Sequence, residues 1–465
     1  MKQRLLKGLL LFVSATTLIV SCRKKDAPLP DNLAQFESSA QGMDAATGTI
    51  TVKIKLSRAT DRTIPVTISI GPTTAAYSTQ YTTTPAAASN IITVNIPSGA
   101  SEGSFTVNKS VAAVFLGTES VSFKIESTGA PVIIGTTNIF TLSFAEIIST
   151  GSTVVGNGGG ATYGNKVFFD LSANSQANVL RTNWDLGLYT GTDDWRVILN
   201  SSTGMMAKQI SKNDLTTVTA ADTVGFGADV IFNQSAPTTA SLAYIDYPDG
   251  NLTKTAIATI SATASDNKVY IINRGAGIGT DPHRGWKKVR IIRNATGGYT
   301  VQHADIAATT FTSVDIAKDD AYFFKYISFG TGAVAVDPQK KKWDLAWTYF
   351  SNTTNFGGGE VPYLFQDIVI QNRNVSVAKV MTTTKAYADF GESDLTTITY
   401  ATSQVSIGAD WRSGGGPSTA PAVRTDRYYI IKDGDNNVYK LRFTAMTLNG
   451  ERGFPAVEYA LVKKG

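Results

Sequence analysis

The sequence contains few of the residues that form disulfides and metal sites. Its 465 residues include one cysteine and two histidines. A single sulfur excludes an internal disulfide, a thiolate zinc site and a cysteine-held iron–sulfur cluster, because each needs at least two. Two histidines also argue against a histidine-based metal enzyme. Charged residues make up only 17% of the chain, below the roughly 25% of ordinary soluble domains, and this composition, rich in Thr, Ser and Gly, is typical of β-rich secreted proteins.

The sequence also lacks recognisable catalytic motifs. A Ser-His-Asp arrangement would have to use His283 or His303, and neither stands near a recognisable nucleophile. The chain has no Gly-x-Ser-x-Gly elbow. We therefore predict a protein that is not an enzyme.

The first 22 residues have the layout of a secretion signal. Three basic residues, Lys2, Arg4 and Lys7, precede a short apolar stretch over residues 9–20, which is too short to span a membrane as a stable helix. Ser21-Cys22 resembles a bacterial lipobox, and the resemblance implies a lipid on Cys22. We predict a signal peptide at 1–21, a tether at 22–34 and an outer-membrane lipoprotein that faces either the surface or the periplasm.

The charge balance argues against nucleic acid as a partner. Removing residues 1–21 takes away three basic residues and no acidic one, which leaves 39 basic residues against 37 acidic ones. A nearly neutral chain has no basic stripe with which to neutralise phosphates. The membrane, reached through the lipid on Cys22, is the predicted partner.

Residues 35–148 show the alternation of a two-sheet β-sandwich. Apolar side chains recur at every second position, separated by turns rich in Gly, Pro, Ser and Thr; examples are Ile50, Val52, Ile54 and Leu56. The order of strands, including those at 65–68 and 119–123, resembles the Calx-β family. Relatives of that family often bind calcium through clustered carboxylates, but the acids here (Asp44, Asp61, Glu102 and Glu119) are scattered. We therefore predict a spacer module without a metal.

An internal repeat organises the remaining two thirds of the chain. Four motifs recur in the same order: 183–189 as 342–349, 214–219 as 394–399, 227–229 as 408–410, and 268–272 as 427–431. We predict two copies of one mostly antiparallel β domain, repeat 1 at 150–305 and repeat 2 at 306–465. The fold class is therefore all-β. Each copy is expected to open with a Phe-Phe strand (167–169 or 322–324), continue with a Trp-Asp-Leu strand and end in a hairpin.

The same residues resemble a known family. The Phe-Phe strand, the Trp-Asp-Leu strand and the closing segment of residues 428–444 are similar to the HmuY family of Bacteroidetes lipoproteins. The resemblance covers 165–465 as two tandem copies. It implies a cell-envelope lipoprotein that captures haem, taken up free or from a haem-carrying protein, between loops that supply two axial His or Met ligands.

The matching loops do not contain such ligands. Residues 219–265 and 399–425 include no His, Met or Cys, so only Tyr244, Tyr247 and Tyr400 could ligate iron there. Outside these loops, we consider His283, in the lengthened hairpin of repeat 1, and Met205 with Met206, in what reads as an exposed loop. The more conservative interpretation is a solvated histidine and incidental methionines. For His303, which matches Tyr459, we predict a structural role.

Two other functions stay open. The protein could bind a glycan or another protein at the cell surface, with Trp195, Trp286 and Trp411 as exposed aromatic platforms. It could instead be a structural partner of an outer-membrane transporter. Asp185 and Asp344, which follow the repeated tryptophans, occur in both copies, and this favours a role in the fold over one in chemistry.

Overall fold

The computed structural model describes residues 29–43, 47–111, 113–145, 148–149, 151–232, 235–414 and 420–465. The predicted signal peptide, Cys22 and most of the tether lie outside these residues, and so does Asp44. In the described part, no helix has the length and apolar composition needed to span a membrane. The chain forms two compact units, residues 1–147 and 148–465. The prediction of an all-β fold is confirmed.

The first unit contains the predicted β-sandwich. Two five-stranded sheets have the orders β5-β7-β3-β1-β9 and β2-β10-β8-β4-β6. Alternate side chains of the strands are buried in one core, as period-two strands require. The strands are β1 Asn32–Phe36, β2 Ala40–Met43, β3 Thr49–Leu56, β4 Ile64–Thr73, β5 Tyr81–Thr84, β6 Ile91–Ile96, β7 Glu102–Lys109, β8 Ser120–Thr128, β9 Val132–Ile134 and β10 Ile139–Phe144.

The described acids of this sandwich are engaged with neighbouring groups. Glu102 forms ion pairs with Lys53 and Lys55, and Asp61 pairs with Arg62. Glu119 accepts hydrogen bonds from two backbone N–H groups of its own turn. Over the described residues of the whole chain, no group of three or more His, Asp or Glu side chains is placed to hold a metal ion.

The second unit contains eighteen strands in its described residues. They are β11 Gly151–Val155, β12 Asn165–Asp170, β13 Ser175–Leu180, β14 Leu186–Tyr189, β15 Val197–Leu199, β16 Met206–Gln209, β17 Tyr270–Asn273, β18 Trp286–Arg293, β19 Tyr299–Ala304, β20 Thr312–Ile316, β21 Phe324–Ser328, β22 Gly332–Val334, β23 Leu345–Asn355, β24 Glu360–Gln371, β25 Ser376–Met381, β26 Arg427–Lys432, β27 Val438–Leu448 and β28 Glu451–Lys463.

Short helical turns connect these strands. One is a single α-helical turn, Phe226–Asp229, and the others are 3₁₀ turns: Gly160–Thr162, Ser201–Thr203, Leu215–Thr217, Ala220–Thr223, Thr239–Tyr244, Leu252–Lys254, Ala264–Asp266 and Glu392–Thr397. Most of them lie in the connection between β16 and β17, which is the long loop region of repeat 1.

The strands of the second unit form four sheets. Sheet III has the order β13-β12-β23-β24, and sheet IV has the order β15-β14-β21-β22. Sheet V has the order β11-β28-β27-β26-β25, and sheet VI runs β16-β17-β18-β19-β20. Side chains from sheets III and V share one core, and those from sheets IV and VI share another. Each pair of sheets is therefore a sandwich.

The two repeats exchange their opening strands. The opening hairpin of repeat 1, β12 and β13, joins the Trp-Asp-Leu strand of repeat 2 in sheet III. The opening hairpin of repeat 2, β21 and β22, joins the Trp-Asp-Leu strand of repeat 1 in sheet IV. Sheet V also contains β11 from repeat 1, and sheet VI also contains β20 from repeat 2. All four sheets of the second unit are therefore built across the 305/306 boundary that divides the repeats in sequence.

The registers correct one expected alignment. Ala346 lies opposite Phe168, and its counterpart Gly187 lies opposite Tyr326. The strand of repeat 2 that corresponds to 167–169 is therefore 325–327, and the expectation of 322–324 was wrong by three residues. The match of His303 with Tyr459 is confirmed, because they pair with Val289 and Leu441, the residues opposite Tyr270 and Tyr429.

The repeated aspartates form hydrogen bonds with the ends of the exchanged strands. The Asp185 carboxylate accepts a hydrogen bond from the Phe329 N–H at 2.7 Å. The Asp344 carboxylate accepts one from the Leu171 N–H at 2.8 Å. Each aspartate thus caps the end of the opening strand that comes from the other repeat. This geometry explains why the residue recurs in both copies.

Candidate functional site: a cavity between the exchanged sheets

A cavity lies between the faces of sheets III and IV that point away from the two sandwich cores. Its walls include the repeated tryptophans Trp184 and Trp343, together with Phe324, Tyr326 and Phe350. The volume is about 80 Å³. We call it the central cavity. It exists because the exchange places the two Trp-Asp-Leu strands in neighbouring sheets, so that both repeats line the same space.

A buried ion pair forms one side of the central cavity. The Lys166 ammonium lies 3.0 Å from the Asp337 carboxylate, and their side chains are only 7% and 10% exposed. The Tyr326 hydroxyl donates to the same carboxylate at 2.5 Å. The ammonium also lies over the rings of Phe168 and Trp343, at 4.6 and 5.6 Å from their centroids. The charges therefore compensate each other within the wall.

Two residues that line the cavity each have a buried polar atom with no partner among the described residues. One is the indole Nε1 of Trp184, a donor, and the other is the amide Oε1 of Gln371, an acceptor. Trp184 is 4% exposed, and its ring packs edge-on against Tyr326 at 4.9 Å. The amide nitrogen of Gln371 donates to the carbonyls of Val375 and Ala401, which fixes the orientation of its oxygen. Buried polar groups are normally satisfied, so both atoms mark a place for a ligand or for water.

Asp246 and Arg373 also line the central cavity. The Asp246 carboxylate accepts hydrogen bonds from the N–H groups of Leu199 and Ala256, at 2.6 and 3.0 Å. Burial nevertheless raises the pKa of Asp246 to about 7. The Arg373 guanidinium donates to the carbonyl of Gly250, another lining residue, at 2.8 Å.

His283 occupies the lengthened hairpin of repeat 1 and is exposed, as expected. Its Nδ1 accepts a hydrogen bond from the Gly285 N–H at 2.9 Å, so Nε2 carries the proton and donates to Asn273 Oδ1 at 2.6 Å. Burial, with the nearby charges of Arg274 and Arg284, lowers the pKa of His283. Both ring nitrogens are therefore occupied, and neither is free to ligate iron in this arrangement.

The two methionines are buried, so the expectation that their sulfurs are exposed was wrong. Met205 is 1% exposed and Met206 is 0% exposed. Adjacent residues at a strand point to opposite faces, and these two enter different cores. Met205 packs in the core between sheets IV and VI, and Met206 packs on the other face, under the segment that contains Leu215 and Ile245.

The three tyrosines do not form one group of free hydroxyls. Tyr244 packs beside Met206, with the Lys208 ammonium over its ring. The Tyr247 hydroxyl donates to Glu360 at 3.0 Å, and this bond is the main reason why its pKa is raised. Tyr400 packs in a separate cluster of repeat 2, and burial raises its pKa. As iron ligands, these residues remain sequence predictions.

The aromatic platforms expected for a glycan are not open. Trp411 is fully buried and stacks on Phe443 at 4.4 Å. Trp195 and Trp286 are half-buried, and the Arg293 and Lys318 side chains cover the ring of Trp195. His303 is buried against Phe329, with ring centroids 5.0 Å apart.

A second, open pocket of about 530 Å³ lies beside the β23–β24 hairpin. Phe356, at the tip of this hairpin, is exposed and lines the pocket together with Pro237 and Val361. The pocket has the size of an ordinary ligand site. However, its described lining contains no His, Met, Tyr or Cys that could ligate iron.

A haem does not fit the central cavity. One water needs about 10–15 Å³ of cavity volume, so 80 Å³ admits roughly five to eight non-hydrogen atoms. This is far fewer than a porphyrin has. The central cavity therefore has polar groups without room for haem, and the open pocket has room without ligands.

Sequence reasoning missed the residues of the central cavity. Lys166, Asp337 and Gln371 belong to no repeated motif and stand in the sequence as ordinary polar residues of strands and loops. The signal for the cavity in the sequence was the recurrence of Trp184 and Trp343. This recurrence could be interpreted only once the strand exchange showed that both tryptophans line the same cavity.

The family model described as "HmuY protein" matches the chain over residues 162–302 and 322–459. The two segments together cover more than half of the chain and coincide with the two repeats. The chain therefore belongs to the HmuY family, and the resemblance seen in the sequence is confirmed.

Solved structures with similarity to the chain have low identity. A candidate HmuY_like heme binding protein from Bacteroides vulgatus ATCC 8482 is 9% identical, covers 69% of this chain and 98% of its own, and has a TM-score of 0.19. A candidate carbohydrate binding protein from Bacteroides ovatus ATCC 8483 is 12% identical, with coverages of 73% and 98% and a TM-score of 0.22. The apo Calx CBD1 domain is 15% identical, with coverages of 25% and 99% and a TM-score of 0.22. Comparison with curated proteins gave no match.

Proposed function

We propose that this protein is a non-enzymatic lipoprotein that captures a ligand at the bacterial cell envelope. Membership of the HmuY family over both repeats supports a binding role. The only cysteine stands at the end of the apolar signal, and this supports anchoring through a lipid on Cys22. Two or three acyl chains would hold the protein firmly, since each buried methylene adds about 0.8 kcal/mol.

The observation that carries the proposal is the central cavity. Both repeats contribute their tryptophan to it, and it contains a buried donor and a buried acceptor without partners in the described structure. This arrangement favours a small ligand enclosed between the repeats. Haem is the second candidate, and family membership alone favours it, because the predicted ligands His283, Met205 and Met206 are hydrogen-bonded or buried.

A haemin titration of the protein lacking residues 1–25 separates the two candidates. The Soret band is recorded in the oxidised and reduced states. We expect no saturable band, because the described residues bring no pair of free axial ligands together. A sharp band that saturates at one or two haemins per chain would establish haem as the ligand and would exclude our preference for a small molecule.

The anchor and the partners need separate experiments. Growth with labelled palmitate should label the wild-type protein, and Cys22→Ala should abolish the label and release the protein from the membrane fraction. An unlabelled wild-type protein would refute the lipoprotein assignment. Crosslinking in intact cells, followed by purification, tests the proposed association with an outer-membrane transporter.

A further inference from the structure

We propose that the central cavity binds hydroxyl groups on a short carbon chain, that is, a small neutral polyol or the hydroxyl-bearing end of a sugar. This inference rests on the proposed function of ligand capture and deepens it by naming the class of ligand. It follows from three properties of the cavity: its unpaired polar atoms, its compensated charges and its size.

The unpaired atoms select a hydroxyl group. Trp184 Nε1 can only donate a hydrogen bond, and Gln371 Oε1 can only accept one. Both atoms are buried, and both residues line the same cavity. A hydroxyl group accepts and donates, so vicinal hydroxyls could satisfy both atoms. A carboxylate would satisfy the indole but would leave the amide oxygen unpaired, and an ammonium would do the reverse.

The charges of the cavity favour a neutral ligand. The Lys166 ammonium is already paired with Asp337 at 3.0 Å and lies over the faces of Phe168 and Trp343. Arg373 and Asp246 also line the cavity, and both have partners: Arg373 donates to the Gly250 carbonyl, and Asp246 accepts from the Leu199 and Ala256 N–H groups. A charged ligand would have to compete with these existing partners, which is costly in a buried site. The aromatic walls, in turn, suit the C–H surface of a polyol.

The volume limits the size of the ligand. Room for roughly five to eight non-hydrogen atoms in about 80 Å³ matches glycerol, which has six. A larger sugar could place only one edge in this space. The two sources of the same chemistry, a free polyol and the terminal sugar of a glycan, therefore differ in how much of the ligand the cavity encloses.

The indole resonances of the six tryptophans provide the test. The protein lacking residues 1–25 is labelled with ¹⁵N-tryptophan and titrated with glycerol and, separately, with methyl α-glucoside. Trp184→Phe assigns the Trp184 resonance. We expect glycerol to shift this resonance saturably while that of Trp195, outside the cavity, stays in place. A shift with glycerol only identifies a free polyol, and a shift with the glycoside identifies a terminal sugar.

A second variant guards against a general solvent effect. Ile198 lines the cavity, so Ile198→Phe should fill it without removing a polar group. We expect at least tenfold weaker binding by this variant, with an unchanged circular dichroism spectrum. No saturable shift, or an equal shift of all the indoles, would mean that the cavity holds only water and would overturn the inference. If haemin binds nonetheless, the proposed capture function stands without this site; if haemin also fails to bind, both proposals fall.

Discussion

The repeated aspartates allow one prediction to be tested with its own internal control. Asp185 is fully buried and accepts four hydrogen bonds. Arg274 donates two of them, at 2.9 and 3.0 Å, Arg284 donates one at 2.9 Å, and the Phe329 N–H donates the fourth. We predict that Asp185→Asn strongly destabilises the second unit.

The expected cost follows from the two arginines. Their side chains are 17% and 9% exposed, so the variant leaves two buried guanidinium groups without a counter-charge. Removing one partner of a buried ion pair typically costs about 3–5 kcal/mol. For a unit of this size, that loss lowers the melting temperature by roughly 4–8 °C. The asparagine oxygen can still accept from the Phe329 N–H, so the hydrogen bond that caps the exchanged strand should be retained.

Asp344 is the matched control. It occupies the equivalent position in repeat 2, but the described residues place no arginine beside it, and its carboxylate accepts a hydrogen bond from the Leu171 N–H. Burial, together with the charge of Asp170, raises its pKa well above the usual value. Asp344→Asn keeps the acceptor for Leu171 and removes a disfavoured charge. We expect no loss of stability at neutral pH.

The pH dependence adds a second signature. A raised pKa means that the folded protein holds the Asp344 proton more tightly than the unfolded chain does. Stability from this group is therefore fully present below the unfolded pKa of about 3.9 and falls as the pH rises towards the folded pKa. Asp344→Asn should remove this part of the dependence, so that the variant improves relative to wild type as the pH rises.

Thermal melts followed by tryptophan fluorescence and circular dichroism measure both variants. The reasoning would be refuted by an Asp185→Asn protein that melts with the wild type. It would also be refuted by equal losses in the two variants, because the aspartates would then act only through the backbone hydrogen bond that they share.

Three further predictions follow from the structure. Burial raises the pKa of Asp246 to about 7, so the wild type should lose up to a few kcal/mol of stability as the pH rises from about 4 to about 7. Asp246→Asn should abolish this loss. Urea midpoints across this range measure it, and a parallel decline in both proteins would contradict it. His283→Ala should leave the Soret spectrum of a haemin titration unchanged, because both ring nitrogens are already hydrogen-bonded. The excised repeat 1, residues 150–305, should form a dimer by exchanging its opening hairpin with a second copy, and light scattering that shows a folded monomer would count against this.

Local features of the fold could be predicted because they depend on short-range patterns. Alternation of apolar residues identified the first sandwich, and four recurring motifs identified the repeat. The repeat also matched His303 with Tyr459, and the two lie at equivalent positions of the sheets. Such patterns are set by the pleat of a strand and by the burial of one face, so they can be read in the sequence without the tertiary arrangement.

The candidate site could not be predicted because it depends on which strands become neighbours. Met205 and Met206 follow a turn at residues 201–203 and read as a loop, but Met205 packs between sheets IV and VI, and the segment with Leu215 and Ile245 covers Met206. Lys166 and Asp337 are 171 residues apart in sequence. The cavity that both residues line is defined only once β12 leaves its own repeat.

The length of one connection disfavours strand pairing within repeat 1. Both repeats have the same opening strand and the same Trp-Asp-Leu strand, so strand chemistry alone does not distinguish pairing within a repeat from exchange. In sheet III, Phe169 lies between Gln176 on one side and Leu345 on the other. If β12 paired with β14 instead, Leu186 would take the place of Leu345 and would lie two strands away from Gln176. At about 3.4 Å per residue and 4.8 Å per strand, roughly 17 Å would separate it from Leu180.

The connection of residues 181–185 could follow that path only when nearly fully extended. Its maximum length is about 20 Å, and it would have to cross the face of β12. It is instead bent by a hydrogen bond from the Asn183 N–H to the Leu180 carbonyl at 2.9 Å, and it leads directly into sheet IV. The corresponding connection in repeat 2, residues 335–344, is twice as long and imposes no such limit. Once β12 and β13 pair with repeat 2, the place beside β14 is open for β21, and a tandem chain fills it without the entropy cost of a second molecule.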